Sequence, residues 1–433
     1  MTPQSSFMVL APVHPQREAE LRRLLESMND APGRVRPDNE LIPFQQFDTV
    51  HVARLLIVDD RTVRDMSVYG APPRTYPRYL AFLGDVDGDA DAFLADAARR
   101  APTGLRTIFS CCDGFSSSTD LLEWMKAQSV SAAAGYVNWR GRTVQQIREE
   151  AALRDTLERE IQNDAATLKN LPPREIHATL RRLAMAEIAA GRLALSEARP
   201  TPMGWRLNNL LHLVGVPVLL LLCSPLLLVL AIVGLVRLRQ LEKTDPELCD
   251  RSLPADSAEL ARLEGHDVTN QFSAMGSLKP GIVRLWTAMF VLLAIDYAAR
   301  HIYTHGGLAR VRSIHFARWV FLDNRQRIIF FSNYDGSLDT YMDDFINKVG
   351  FGLNVVFSNG IGYPRTNWLI LDGCGDERKF KEYLRRHQMP TQVWYKAYPG
   401  LTAVDLERNV RIRQGLASSS LNDRDARAWV ALL

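Results

Sequence analysis

The chain of 433 residues contains one sequence pattern twice, and this internal repeat restricts its fold more than any other feature. The segment "VHVARLLIVDD" begins at Val50, and its counterpart "IHFARWVFLDN" begins at Ile314. Further pairs of segments align in the same order around these two, and one pair sets Asp87 against Asp335. Such a shared order indicates a duplication, so the two halves are expected to have the same fold.

Each repeat is predicted to follow the order β-α-β-β-α-β, with one added helix and one added strand. Runs of aliphatic residues indicate the strands, and apolar residues three and four positions apart indicate the helices. The fourth strands are predicted over 105–112 and 353–357, and the added strands over 132–138 and 392–398. This order is the split βαβ, or ferredoxin-like, unit, whose sheet carries helices on one face.

The uncovered face of such a sheet has to be buried against another layer. Two repeats in one chain can achieve this by pressing their open faces together. The predicted fold class is therefore α+β: two ferredoxin-like repeats form a pseudo-two-fold α/β barrel, with an inserted helical arm and a membrane segment. The predicted parts are 1–142 (first repeat), 143–207 (arm), 208–238 (membrane segment), 239–268 (linker) and 269–433 (second repeat).

The middle of the chain has no charged residue from Leu213 to Val236. Because about 18 apolar residues in a row indicate a membrane span, the lipid bilayer is a predicted partner. A barrel built from both repeats needs them on the same side of the bilayer. We therefore expect a re-entrant hairpin that breaks near Pro225, since proline interrupts helix hydrogen bonds. The alternative is one kinked transmembrane helix, which would separate the repeats and make each pair with another chain.

The segment 282–303 is predicted to be a helix of the second repeat and not a crossing. Only about 11 uncharged residues follow one another between Arg284 and Asp296, fewer than a crossing takes.

Composition excludes several functions. A net charge of +3 is too small for the basic face of a nucleic-acid-binding protein, so nucleic acid is not a predicted partner. The 5 cysteines fit neither a zinc nor a disulfide framework, so they are predicted to be reduced and no metal site is expected. The N-terminus does not resemble a secretory signal, and the repeats are predicted to be cytoplasmic. The sequence is compatible with an oligomer of several copies.

The repeated H-x-A-R strands supply candidate catalytic histidines, His51 and His315, and candidate ligand-binding arginines, Arg54 and Arg318. Residues three positions apart on a regular strand point to opposite faces, so one of each pair is expected inside the barrel. A histidine there suits acid–base chemistry or metal binding, and an arginine suits an anionic ligand. The alternative is a structural hydrogen bond that was copied with the fold.

Arg106 and Asn354 occupy aligned positions on the predicted fourth strands. We expect both to line the same cavity and to contribute to ligand binding.

The layout resembles the dimeric α/β-barrel superfamily, which includes dye-decolorising peroxidases, chlorite dismutases and small monooxygenases. "GDVDG", from Gly84 to Gly88, resembles the G-x-x-D-G pattern of dye-decolorising peroxidases, whose aspartate lies over a haem and handles peroxide protons. The resemblance implies haem as cofactor and a catalytic role for Asp87. It extends to Asp335 in "SNYDG", which lacks the first glycine, and the family's haem-ligating histidine has no clear counterpart. The alternative is a turn in which Asp-Gly supplies the bend and the helix cap.

Two functions follow from these features. The first is a membrane-anchored barrel that binds a small hydrophobic or planar ligand, with a peroxidase-like or monooxygenase-like oxidoreductase as its enzymatic form. The alternative is a non-catalytic scaffold that brings a partner to the membrane. An open, polar-lined cavity in the barrel would favour the first.

Overall fold

The computed structural model describes residues 4–72, 74–197, 200–248, 251–304 and 306–433. The fold is mixed α/β with antiparallel sheets. Cys249 lies outside the described residues, and the other four cysteines are free thiols.

The strands fall into two sets of similar spacing, one in each half of the chain. They are β1 (Gln4–Pro12), β2 (Asn29–Ala31), β3 (Arg34–Val35), β4 (Val50–Val58), β5 (Tyr79–Asp87), β6 (Ala134–Val137), β7 (Thr269–Ser277), β8 (Ile314–Leu322), β9 (Arg327–Asp335), β10 (Thr366–Asn367), β11 (Leu371–Asp372) and β12 (Val393–Lys396). The long strands are rich in aliphatic and aromatic residues, which suit a buried pleated surface.

The helices include a long arm and an apolar pair between the two sets of strands. They are α1 (Glu18–Ser27), α2 (Ala90–Arg100), α3 (Pro102–Phe109), α4 (Leu121–Ala127), α5 (Val144–Asn163), α6 (Ala165–Leu168), α7 (Pro173–Ala189), α8 (Met203–Leu222), α9 (Ser224–Thr244), α10 (Pro254–Leu263), α11 (Ile282–His301), α12 (Leu338–Phe357), α13 (Glu377–His387), α14 (Ala403–Ala417) and α15 (Asp423–Val430). Thr143 and Thr402, which are aligned in the repeat, form capping boxes that start α5 and α14.

Among the described residues, the long strands form two four-stranded antiparallel sheets. The order in the first is β1-β5-β4-β12, and the order in the second is β7-β9-β8-β6. The last strand of each half therefore lies in the sheet of the other half: β12 pairs with β4, and β6 pairs with β8. This exchange joins the two halves through backbone hydrogen bonds.

The segments that precede β6 and β12 also pair with the free edge of the sheet in their own half. The backbone N–H of Leu10 donates to Gln128, and that of Val130 donates to Met8. In the second half the N–H of Met389 donates to Ser273 of β7. The exposed edges of β1 and β7 are thereby partly paired, which protects them against unwanted strand addition.

The predicted fourth strands are helical, and the prediction of a closed barrel is wrong. Residues 105–109 lie in α3, and residues 353–357 end α12. Leu105, Ile108 and Phe109 are three and four positions apart, which is the spacing of a helix face and not of a strand. With helices in these places, the two sheets have no further strands through which to join into a continuous barrel.

In both halves, a residue with non-helical backbone angles interrupts this helical region, and the two residues are aligned in the repeat. Ala101, between α2 and α3, has φ −126° and ψ 45°, and Val349 within α12 has φ −143° and ψ 29°. α2 and α3 together therefore correspond to the two parts of α12.

The sheets pack face to face, with helices on their outer faces. The layer between them is a cluster of buried apolar side chains from both sheets, including Met8, Leu56, Leu83, Met275, Val320 and Ile329. The open sheet faces are thus buried against each other, although the sheets do not close into a barrel.

α8 and α9 fold back on each other as a hairpin. The Tyr297 hydroxyl donates to the backbone oxygen of His212 in α8 (2.8 Å), and Arg284 pairs with Asp245 at the end of α9 (2.5 Å). A straight helix over 212–245 would be about 50 Å long, whereas residues 284 and 297 of α11 are about 20 Å apart. Both contacts form because the chain reverses near Cys223, where α8 ends.

In the described part of the chain, α8, α9 and α11 are each long and apolar enough to cross a membrane. Almost none of the apolar surface of α8 and α9 is buried. α11 meets the same criterion of length and mean hydropathy despite its short uncharged run, but it packs against the second sheet and buries Arg284. We therefore assign α11 to the globular body and the hairpin alone to the protruding apolar part.

Most described residues of the linker are exposed or half-buried, but several of its acidic residues are buried. One of these is Glu264, which follows α10. The Gln388 side chain donates to Glu264 (2.7 Å), and so does the N–H of Thr391 (3.0 Å). Desolvation by burial raises the pKa of Glu264 to about 7. Protonated Glu264 is therefore favoured in the folded state.

We expect stability to fall as the pH rises from about 4.5 to 7. Because the folded pKa of Glu264 lies above its unfolded value, its stabilisation is full below the unfolded pKa and is lost as the pH rises through the folded pKa. Glu264→Gln should remove about 3 kcal/mol of this pH dependence. Urea unfolding in a non-ionic detergent at a series of pH values measures the effect, and identical pH profiles for variant and wild type would contradict it.

Candidate functional site

Each half contains a buried His–Asp pair at the aligned position. His51 Nε2 lies 3.0 Å from Asp87 Oδ1, and His315 Nε2 lies 2.7 Å from Asp335 Oδ1. Both histidine side chains are almost fully buried. In each pair the histidine lies near the start of one strand, and the aspartate is the last residue of the neighbouring strand.

The second oxygen of each aspartate binds the start of a helix. Asp87 Oδ2 accepts the N–H of Val144, the first residue of α5 (2.8 Å), and Asp335 Oδ2 accepts the N–H of Ala403, the first residue of α14 (2.7 Å). A carboxylate at this position satisfies an unpaired helical donor and suits the helix dipole. Through these contacts the His–Asp pairs position the starts of α5 and α14, which agrees with the structural alternative considered above. A catalytic role for the pairs stays a prediction.

The histidines do not follow the simple alternation of a strand. The pairing register shifts between Val50 and Val52, and again between Ile314 and Phe316, so each histidine is an extra residue in its strand. The His51 ring lies 5.4 Å from the Phe316 ring of the other sheet. His51 and Arg54 both reach the other sheet, because a β-bulge changes the direction of side chains that flank it.

Arg54 connects the first sheet to the second. Its guanidinium donates to the backbone oxygens of Phe272 (3.0 Å) and Ser332 (3.0 Å). It also lies over the Trp394 ring, 5.0 Å from the centroid. Burial, followed by the nearby charge of Arg318, lowers the pKa of Arg54 to about 9, so this side chain stays protonated at neutral pH.

Arg318 makes the corresponding contacts in the opposite direction. It donates to the backbone oxygens of Phe7 (2.9 Å) and Gly84 (2.9 Å), which align with the two acceptors of Arg54. The halves differ at one position, because Arg318 pairs with Asp85 (2.6 Å) whereas Arg54 faces the amide of the aligned Asn333. We call these two side chains and their partners the arginine layer.

The arginine layer fills the place where a barrel cavity was expected. The cavity that remains beside Arg54 and Arg318 has a volume of about 10 Å³, which is room for about one water molecule. The arginines bind backbone oxygens across the sheets, and the nearby His51 and His315 are paired with aspartates. These residues do not fit a haem: there is no space for the macrocycle and no free histidine beside it.

Arg106 and Asn354 do not border this cavity, because both lie on helices. Arg106 in α3 donates to the backbone oxygen of Thr119 (3.0 Å). Asn354 in α12 donates to the backbone oxygen of Ile370 (3.0 Å) and accepts the N–H of Cys374 (2.9 Å). The expectation that both would line a shared cavity is wrong, and its cause is the mistaken fourth strand.

A larger cavity lies in the second half, between α11, α12 and the outer face of the second sheet. Its volume is about 390 Å³, and none of its described lining residues is charged. The sequence contains a weak signal for it, since α12 has aromatic and aliphatic residues on more of its circumference than one sheet contact can bury. We call this cavity the apolar pocket.

In the described ranges, no group of three or more His, Cys, Asp or Glu side chains could hold a metal ion.

The two arginines should differ in their contribution to stability. Arg318→Met leaves the buried Asp85 carboxylate without its partner, and we expect a loss of about 3–5 kcal/mol. Arg54→Met leaves only neutral acceptors, and we expect a loss of about 1–3 kcal/mol. Equilibrium unfolding in urea measures both values. Adding Asp85→Asn to Arg318→Met should restore part of the loss, and equal losses in the two single variants would contradict this interpretation.

No family model matches this chain, and no match was found among curated proteins or solved structures. No relative therefore assigns a role to the His–Asp pairs, the arginine layer or the apolar pocket, and their chemistry has to be inferred from geometry.

Proposed function

We propose that this protein is anchored in a membrane by a hairpin that enters and leaves by the same face, and that it binds a small hydrophobic ligand. The observation that carries the proposal is the apolar pocket beside the base of a protruding apolar hairpin. The pocket replaces the barrel interior as the ligand site, because the arginine layer fills the space between the sheets.

The lengths of the two arms support a hairpin that enters the membrane without crossing it. The uncharged part of α8, from Leu207 to Leu222, is about 24 Å long, and that of α9, from Ser224 to Val236, is about 20 Å long. Although each whole helix is long enough to cross a membrane, these uncharged parts are shorter than the hydrocarbon core of about 30 Å. The tip around Cys223 has no charged residue that would favour the opposite surface. A hairpin that enters and leaves by the same face fits these lengths.

The strand exchange gives independent support. β6 precedes the hairpin and β12 follows it, yet each completes the sheet of the other half. Both halves must therefore lie on the same side of the bilayer, which a single crossing within one chain would prevent.

The location of both halves on one side of the bilayer also bears on the orientation of the protein in the membrane. Arg206 precedes the apolar segment, and Arg237, Arg239 and Lys243 follow it. Because a hairpin brings both flanks to one side, these charges add up there instead of balancing across the membrane. The positive-inside rule then favours the cytoplasmic side for the globular body.

A short turn beside α9 supplies a second contact for the membrane surface. Trp368 and Ile370, in the turn between β10 and β11, and Leu371, the first residue of β11, are each about half exposed. Trp368 and Leu369 have positive φ angles, which are costly for large side chains. Glu242 of α9 accepts both of their N–H groups (2.9 and 2.8 Å). An exposed tryptophan held beside the base of the hairpin suits the lipid headgroup region.

The aligned contacts also lead us to infer that both halves descend from one ferredoxin-like unit. Each half has the order β-α-β-β-α, with a helix where the unit has its fourth strand. The capping boxes, the His–Asp pairs and the arginines recur at aligned positions.

Cysteine labelling tests the anchor. In a background without other cysteines, Met203→Cys and Lys243→Cys should react with a membrane-impermeant maleimide from the same side of sealed vesicles. The native Cys223 should react from neither side until detergent is added, because it lies at the tip. Reaction of the two base positions from opposite sides would show a single crossing and overturn the proposal.

Mass spectrometry of the purified protein tests ligand binding. We expect a hydrophobic molecule to co-purify with the wild type and to be lost from Gly352→Phe, whose new ring would enter the pocket. Space is available for this change, since nothing lies within 4 Å of a Cβ built on Gly352. Leu293→Phe, on the exposed side of α11, is the matched control and should retain the molecule. Equal recovery from both variants would contradict the assignment of the pocket.

A further inference from the structure

We infer that the apolar pocket holds one acyl chain of a membrane lipid, which enters sideways from the bilayer past Phe290 and Phe351. The inference rests on the proposed function and names its ligand class and route. Phe290 lies on α11 and Phe351 on α12, and both line the pocket while 66% of their surface is exposed. They therefore mark its mouth.

The chemistry of the lining favours a hydrocarbon chain. Aliphatic and aromatic side chains from α11, α12, β8 and β9 surround the pocket, and none of the described lining residues carries a charge. A polar ligand would lose its hydration there without forming compensating hydrogen bonds, which is unfavourable. The volume of about 390 Å³ is near the lower end for small-molecule sites, which suits one narrow chain better than a fused ring system.

The pocket is next to the part of α11 that contacts α8 of the hairpin. Ala294 and Ala298 line the pocket, and each is three residues before a side chain that contacts α8. Those side chains are Tyr297 and His301, so the pocket wall and the hairpin contact are neighbours on the same helix.

The outer face of α11 continues the apolar surface of the hairpin. Ile282 and Trp286 are each more than 60% exposed on this helix. Apolar surface of this extent marks an interaction with protein or membrane. With the hairpin placed in the membrane, a lipid chain can pass from the bilayer to the pocket without crossing water.

The first half provides an internal comparison, because a loop of that half fills the place that corresponds to the pocket. Gly104 aligns with Gly352, and a Cβ atom at Gly104 would collide with the backbone of Leu41. The loop around Leu41 also buries Ile42 and Phe44 in the core of the first half. Among the described residues of the second half, none lies within 4 Å of a Cβ atom built on Gly352, so the aligned site is open.

Binding of cis-parinaric acid, a fluorescent 18-carbon fatty acid, tests the inference with the full-length protein in detergent micelles. We expect saturable fluorescence enhancement with the wild type, displacement by oleic acid, and no displacement by anthracene, a planar hydrocarbon. Gly352→Phe should weaken binding at least tenfold, whereas Leu293→Phe should bind as the wild type does. Thermal unfolding of both variants verifies that they are folded.

Unchanged binding by folded Gly352→Phe, or no saturable binding by the wild type, would overturn the inference. Displacement by anthracene and not by oleic acid would also overturn it, while hydrophobic-ligand binding itself would stand. The topology experiment above uses no ligand, so failure of the anchor and failure of the pocket are separate results.

Discussion

The exchange of terminal strands is the constraint on which the rest of this structure depends. Neither sheet is complete without a strand from the other half, since β12 pairs with β4 and β6 pairs with β8. Strand pairing satisfies backbone groups that would otherwise face solvent along a sheet edge. The halves are therefore parts of one body, and the apolar segment between them has to leave and re-enter that body on one side.

The arginine layer uses the same residue type for structure once in each half. Each arginine donates to backbone oxygens of the opposite sheet, and the acceptors are aligned residues. Burying two cations is costly, and the cost is offset only when their donors are satisfied. Arg318 has a carboxylate partner, whereas Arg54 relies on neutral acceptors and an aromatic ring. The two halves differ at this point, although the contacts of the two arginines with backbone oxygens correspond.

Local patterns were sufficient to predict most long strands. They are not sufficient for 105–112, where Leu105, Ile108 and Phe109 have the three- and four-residue spacing of a helix and not of the predicted strand. Strand exchange could not be predicted, because the alternation in Ala134–Val137 is the same whichever sheet it joins.

The candidate site was predicted in part. The repeat singled out Arg54, Arg318 and the His–Asp pairs, but their partners depend on how the sheets face each other. The apolar pocket could not be predicted from the sequence, because it depends on tertiary packing: the loop around Leu41 fills the aligned place in the first half, whereas no described residue contacts a Cβ atom built on Gly352.

The pairing of β4 with β12 also determines the order in which the protein can be completed during its synthesis. Leu55 cannot pair with Val393, its partner across the first sheet, until most of the chain has left the ribosome. Domains usually fold in the order in which they are made. Here the hairpin emerges between the two strands, while the N-terminal half still has an open edge. With the hairpin in the membrane as proposed above, lipid insertion would be a step on the folding route rather than an addition to a finished protein.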